Sequence, residues 1–243
     1  MSSSELVNSA SADSKIIVAL DFDNLQKAKS LVAELDPKLC KVKVGKEMFT
    51  LFGPNWVSYL VERDFKVFLD LKFHDIPNTV AKACHAAATF GVWMTNVHAS
   101  GGIKMMEAAR EAIAKFGSAR PLLTAVTILT SMDDQQYNQI GYQRGLTDQV
   151  IHLAKMAEKA QLDGIVCSAQ EAHQLRQILN NSFKLVTPGI RLATSAKDDQ
   201  SRVMTPKKAI LAGSSYLVIG RPITQASNPL SVLCEISENL AVI

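Results

Sequence analysis

The sequence predicts the α/β class and, within it, a single closed (β/α)8 barrel of the TIM type, on three observations. Its 243 residues lie near the roughly 250 that such a barrel takes, and no compositional break divides the chain in two. Short apolar runs alternate with stretches of helical spacing about eight times, and the runs are nearly continuous, as strands covered on both faces require. Polar or charged residues end nearly every run. A doubly wound open sheet would instead gather them at one switch point and carry GxGxxG after its first strand, which is absent here.

Residues 1–14 are Ser-rich and polar, without the basic and apolar regions of a signal peptide or the length of a membrane span. They are expected to form a disordered N-terminal tail, leaving 15–243 as one catalytic barrel domain. Ile16–Leu20 is the first strand, ending at Asp21, and Leu25–Leu35 has helical spacing stopped by Asp36-Pro37. Cys40–Val44 alternates in period two, with Lys41 and Lys43 on one face, and Gly45 closes it. Trp56–Arg63 reads as helix and Phe65–Leu71 as the third strand; a helix follows from about Asn78 through an alanine-rich run. Met94–Val97 is the fourth strand, leading through His98-Ala99-Ser100-Gly101-Gly102 to a helix over Ile103–Phe116.

Leu122–Leu129 is the fifth strand, ending at Thr130-Ser131, and a polar stretch, Met132–Arg144, separates it from an amphipathic helix over Leu146–Ala160. Gly164–Val166 and Phe183–Val186 are strands six and seven, with a helix over Ala169–Leu179 between them. After Thr187-Pro188-Gly189 comes a loop, Ile190–Met204, of a length that in compact domains is usually functional. Thr205-Pro206 caps the next helix, Tyr216–Ile219 is the eighth strand, and Gly220-Arg221-Pro222 leads to a last helix over Asn228–Leu240.

Composition narrows the function. Apolar residues make up 47% and charged residues 20% of the chain, and the mean hydropathy is +0.08, so a sizeable core is expected. A net charge of +3 without a basic run argues against nucleic acid, and no apolar stretch argues for a membrane. Cys40, Cys84, Cys167 and Cys234 are far apart, with neither a CxxC pair nor metal-ligand spacing. They read as reduced core thiols in a cytoplasmic protein.

The chemistry collects at strand ends. Asp21, Lys43, Asp70, Lys72, Thr130, Gly189 with Arg191, and Gly220 with Arg221 all fall on the C-terminal side of their strands, where a barrel has its mouth. In period two, Phe68, Asp70 and Lys72 share a face. A lysine flanked by carboxylates is held as an ammonium, which suits a general acid and disfavours a Schiff base. The glycine and arginine after each of the last two strands suit a phosphate. Singly these residues have plainer readings: Asp70 with Lys72 as an ion pair, Asp75 as a helix cap before Pro77, Gly220 as a turn, His74 and His98 as packing histidines. Together, unpaired interior charges are costly enough to argue for a use. Metal ligation by Asp70 and Asp75 is disfavoured by Lys43 and Lys72 beside them, and no metal site is expected.

The segments Lys43-Val44-Gly45, Asp70 to Thr79 (DLKFHDIPNT), Val186 to Arg191 (VTPGIR), Asp198-Asp199-Gln200 and Val218 to Pro222 (VIGRP) together resemble the bacterial orotidine 5'-phosphate decarboxylases, from about Ile16 to the C-terminus. The resemblance implies loss of CO2 from orotidine 5'-monophosphate, giving uridine 5'-monophosphate, without metal or organic cofactor. Lys72 would protonate C6, within a network of Lys43, Asp70, Lys72 and Asp75. Asp21 and Lys43 would hold the ribose, Thr130, with Ser131, the pyrimidine, and Arg191, Gln200, Gly220 and Arg221 the phosphate side, with the loop from Ile190 closing over the ligand. A homodimer is also implied, Asp75 and Thr79 reaching into the neighbouring subunit's site. Leu192, where relatives often have proline, is a local departure. Two rival readings fit the same residues. One is a magnesium-dependent sugar-phosphate decarboxylase or aldolase sharing DxKxxD but with a carboxylate where Lys43 stands; the other is a phosphate-ligand binding protein without catalysis.

Overall fold

The computed structural model of the protein describes residues 13–192 and 204–242. Eight parallel strands close into a barrel in sequence order: β1 (Ile16–Leu20), β2 (Lys41–Gly45), β3 (Val67–Phe73), β4 (Met94–His98), β5 (Leu122–Val126), β6 (Gly164–Val166), β7 (Lys184–Thr187) and β8 (Tyr216–Ile219). The helices outside are α1 (Leu25–Glu34), α2 (Lys46–Val61), α3 (Pro77–Thr89), α4 (Ile103–Ala114), α5 (Asp134–Gln139), α6 (Leu146–Lys159), α7 (Ala172–Ile178), α8 (Pro206–Leu211), α9 (Arg221–Thr224) and α10 (Pro229–Ala241). The predicted TIM barrel is therefore the observed architecture.

Two packing regions follow from the period of two along each strand. Outward side chains such as Val18, Val42, Val44 and Leu69 bury against the helices with Leu31, Trp56 and Leu60. Inward side chains fill the barrel with Ile17, Ala19, Phe68, Met94, Val126, Val166, Val186 and Val218, so the interior is a packed core rather than a pore. Gly164 is needed where β6 meets β7, since a Cβ there would lie 2.3 Å from the Lys184 carbonyl oxygen.

Several boundaries differ from the sequence reading, each for a local reason. The helix after β2 begins at Lys46 rather than near Trp56, and it is broken at Gly53 (φ 62°), with Pro54 starting its second part. β5 stops at Val126, so the β-prone Thr127–Leu129 belongs to the loop that carries Thr130. Part of the polar stretch after Thr130 forms α5, which Asp133 caps by accepting the Gln136 N–H. β3 runs two residues beyond Leu71 and is irregular: Leu69 pairs with Thr95 and Phe73 with Val97, so Asp70, Leu71 and Lys72 stand opposite Asn96 alone. Regular alternation thus ends at Asp70.

Residues 1–12 of the expected tail lie outside the described residues, but Asp13 and Ser14 are tied to the bottom of the barrel. Asp13 Oδ1 lies 3.0 Å from both Lys41 Nζ and Lys66 Nζ, and its Oδ2 accepts from the Tyr216 hydroxyl at 2.7 Å. The Ser14 carbonyl also accepts from Lys41 Nζ. The Lys41 ammonium sits 5.0 Å from the ring centroids of Trp93 and Tyr216, a cation–π box. Lys41 and Lys43 do share one face of β2, as predicted; it is the inner face, and they stand at opposite ends of the barrel.

Burial alone would raise the Asp13 pKa; the hydrogen bonds from Tyr216, Lys66 and Lys41 outweigh it and draw the pKa down to about 2. A depressed carboxylate pKa stabilises the fold above the unfolded value of 3.8, and this contribution is lost as pH falls towards 2. Asp13→Asn is expected to cost about 1 kcal/mol at neutral pH, after discounting for its half-exposed side chain. In urea titrations the gap from wild type should narrow between pH 4 and 2; equal midpoints at pH 7 would contradict the latch.

Candidate active site

The C-terminal ends of the strands surround a cavity of about 730 Å³. Ala19, Phe68, Val126, Val166 and Val218 form its apolar floor, the top of the inner packing layer. Above them, the rim includes Asp21, Lys43, Asp70, Lys72, Thr130, Gly189, Arg191, Gly220 and Arg221. Seven separate stretches of sequence, from every strand end but that of β4, are thus drawn into one mouth by strand order alone.

The charged side of this mouth comes from β1, β2 and β3. Lys43 Nζ stands 3.3 Å from Asp21 Oδ1 and 3.7 Å from Asp70 Oδ2, while Lys72 Nζ meets Asp70 Oδ1 at 2.7 Å. The chain of contacts therefore runs Asp21, Lys43, Asp70, Lys72, with signs alternating. Asp70 is almost fully buried, and its Oδ1 also accepts from Asn96 Nδ2 at 2.7 Å. Burial by itself pushes the Asp70 carboxyl up. The charges of Lys43 and Lys72 and the hydrogen bonds from Lys72 and Asn96 overcome it and hold the group below the ordinary carboxylate pKa.

Lys72 reaches Asp70 by an unexpected route. Its φ is 53°, the left-handed region, which costs a residue with a Cβ roughly 1–2 kcal/mol. Its backbone N–H donates to Asn96 Oδ1 at 2.8 Å. The bulge, rather than plain period two, thus turns the lysine back towards the carboxylate two residues before it.

On the other flank of β1, the rim is formed by β7 and β8. Gly189 has φ 78°, and an isolated bridge between Ile190 and Met204 pins the two ends of the following loop. The Arg191 N–H donates to the Met204 carbonyl at 3.0 Å. A Cβ built on Gly220 would meet only Ala19 Cβ, at 3.6 Å, so protein packing leaves room there. Gln200 and its neighbours Asp198 and Asp199 lie outside the described residues.

Asp75 and Thr79 do not line this cavity. They are exposed at the start of α3, in the run His74 to Thr79 that is open to solvent throughout, with Ile76 66% exposed. Asp75 does not cap α3; Ile76 stands at that position, with Pro77 in the first turn. The His74 and His98 rings lie 5.6 Å apart; His98 is half-buried, as a packing histidine, whereas His74 is exposed. The sequence reading passed over Asn96 and the rim residues Phe22, Asp23, Lys27 and Glu47. Asn96 had one signal, an amide in the middle of a short buried strand; Lys27 and Glu47 are ordinary surface residues of helices and had none.

Partial burial lowers the pKa of His98 to about 4, helped by the nearby His74, Lys46 and Lys72 against the opposing pull of Asp70. A folded pKa below the unfolded 6.5 means that the unfolded chain binds the proton first, so stability declines as pH falls from 6.5 towards 4. His98→Gln should flatten the stability profile across that window in thermal melts. An unchanged slope would contradict the assignment.

Comparison with known proteins agrees with the geometry. Residues 14–236 match the model of the family described as Orotidine 5'-phosphate decarboxylase / HUMPS family. The chain is 59% identical over 226 residues to the orotidine 5'-phosphate decarboxylase of Pseudoalteromonas translucida, covering 93% of this chain and 97% of that one. It is 59% identical over 228 residues to that of Vibrio cholerae, covering 94% and 99%. Among solved structures, orotidine 5'-phosphate decarboxylase from Lactobacillus acidophilus superposes with a TM-score of 0.84 at 39% identity, covering 93% of this chain and 99% of that one. The chain belongs to the orotidine 5'-phosphate decarboxylase / HUMPS family, as an enzyme of its carboxy-lyase branch.

Proposed function

We propose that the protein converts orotidine 5'-monophosphate to uridine 5'-monophosphate and CO2 in the cytoplasm, without metal or organic cofactor, and that Lys72 supplies the proton. The observation that carries this reading is the Lys43–Asp70–Lys72 network on one side of a cavity whose other side holds Gly189, Arg191, Gly220 and Arg221. A nucleotide can then lie across the mouth with its phosphate towards β7 and β8 and C6 of its base towards Lys72. Thr130 meets the pyrimidine, Asp21 and Lys43 the ribose, and Gln200 joins the phosphate side. The C6–carboxylate bond breaks, its electron pair stays on C6, and the Lys72 ammonium delivers a proton to that carbon; the amine is reprotonated from water.

The residues divide the work. Phosphate binding is remote from the reacting carbon, so its energy can be used to place the base against Lys72 and Asp70. The ammonium groups stabilise charge developing on C6 above an apolar floor. Against the magnesium-dependent reading stands Lys43, whose Nζ occupies the space between Asp21 and Asp70 where a cation would otherwise sit. Among the described residues, no cluster of three His, Cys, Asp or Glu side chains could hold a metal ion, and no helix is long and apolar enough to cross a membrane.

A homodimer is part of the proposal. Asp75 and Thr79 are exposed beside Ile76, a large apolar side chain 66% open, on a segment that leads directly from Lys72. A partner covering this segment would bury Ile76 and bring Asp75 and Thr79 to its own mouth. The network would then be Lys43, Asp70 and Lys72 from one subunit with Asp75 from the other.

Loss of substrate absorbance should proceed unchanged in excess EDTA; turnover restored only by magnesium would overturn the cofactor-free reading. Lys72→Ala should lower kcat by about a thousandfold or more while UMP still binds. Unaltered turnover would remove Lys72 from the role. Mixed Lys72→Ala and Asp75→Ala subunits should regain about a quarter of wild-type activity, because half the dimers would carry one intact site. No recovery after subunit exchange would contradict the shared site.

A further inference from the structure

Asn96 is fully buried on β4, and both ends of its amide engage the reacting segment of β3. Nδ2 donates to Asp70 Oδ1 at 2.7 Å, the oxygen that also accepts from Lys72 Nζ; Oδ1 accepts the Lys72 backbone N–H at 2.8 Å. The bulge makes this possible. Three residues of β3 stand opposite this single residue of β4, so a side chain, rather than a regular ladder, receives the N–H of a lysine held at φ 53°. The pattern needs a donor on one side and an acceptor on the other. A carboxylate lacks the donor, and leucine lacks both.

We propose that Asn96 is a positioning residue for the decarboxylation: its amide locks Asp70 Oδ1 and the left-handed backbone of Lys72 into one unit and so aims the ammonium at C6. This rests on the reading of Lys72 as the proton donor. The phosphate-side residues of β7 and β8 lie across the barrel from β4, so Asn96 acts on kcat and leaves product binding alone. The same geometry explains why a strained lysine is stable in one conformation: releasing the Lys72 backbone would leave the buried Asn96 Oδ1 without its donor, while Nδ2 stays on Asp70.

The test measures kcat, KM and UMP affinity for the full-length wild type, Asn96→Ala and Asn96→Asp, with folding checked by circular dichroism. Asn96→Ala should lose about a hundredfold in kcat with UMP affinity within about threefold of wild type. Asn96→Asp keeps the acceptor for the Lys72 N–H but sets a second carboxyl against Asp70. When that pair holds a proton, the introduced group can donate again, so the ratio of variant to wild-type kcat should rise as pH falls from about 8 to 5. A pH-independent ratio would overturn the proposal, as would an Asn96→Ala kcat within about threefold of wild type, or UMP affinity falling in step with kcat. Should Asn96→Ala fail to fold, the pH dependence of Asn96→Asp decides. Absence of turnover in the wild type would instead overturn the decarboxylase reading and this role with it.

Discussion

Everything at the mouth depends on one buried anion. Asp70 has left water almost entirely, and a carboxylate that does so without partners costs several kcal/mol. Lys43 and Lys72 on either side and Asn96 beneath supply the compensation. Removing any one of them leaves a charge or a dipole unanswered, so the four groups hold each other in place. Such a cluster gives little net stability compared with an apolar core; its value lies in presenting an ammonium at fixed orientation in a site with an apolar floor.

The backbone is arranged to serve that cluster. A regular β3 would continue its ladder with β4 and leave Lys72 where period two places it. Instead the strand bulges and Lys72 takes a left-handed conformation that its side chain disfavours. Strain of this kind persists only where neighbours over-determine it. Here those neighbours are the amide of Asn96 and the Asp70 carboxylate. At the other end of the barrel, Asp13 closes around the buried Lys41 with Tyr216 and Lys66, so the same inner face of β2 carries a lysine packed at the bottom and one paired with Asp21 and Asp70 at the top.

Much of this was legible in the sequence because strand burial and strand-end polarity are local signals. Eight apolar runs placed the strands, and their terminal Asp21, Lys43, Asp70, Thr130, Gly189 and Gly220 placed the mouth. The bulge was not legible, since it arises from the register between β3 and β4 and no residue of β3 announces it. Asn96 was missed for the same reason: its meaning lies in what stands opposite. The early start of α2 was hidden by Gly53-Pro54, which break the helical pattern in sequence but only kink it in space. Asp13 was assigned to the tail because its partners, Lys41, Lys66 and Tyr216, come from three distant strands and loops.

The central claim is that Asp70 stays ionised inside the barrel because two lysines and an amide hold it so. A titration of the Asp70 side-chain carboxyl, labelled with carbon-13 and followed by NMR in the folded wild type, tests it directly. The account predicts a midpoint below the ordinary 3.8, the carboxylate signal persisting as the solution is acidified through that value. A midpoint at or above 3.8 would mean that burial outweighs the lysines and would contradict it.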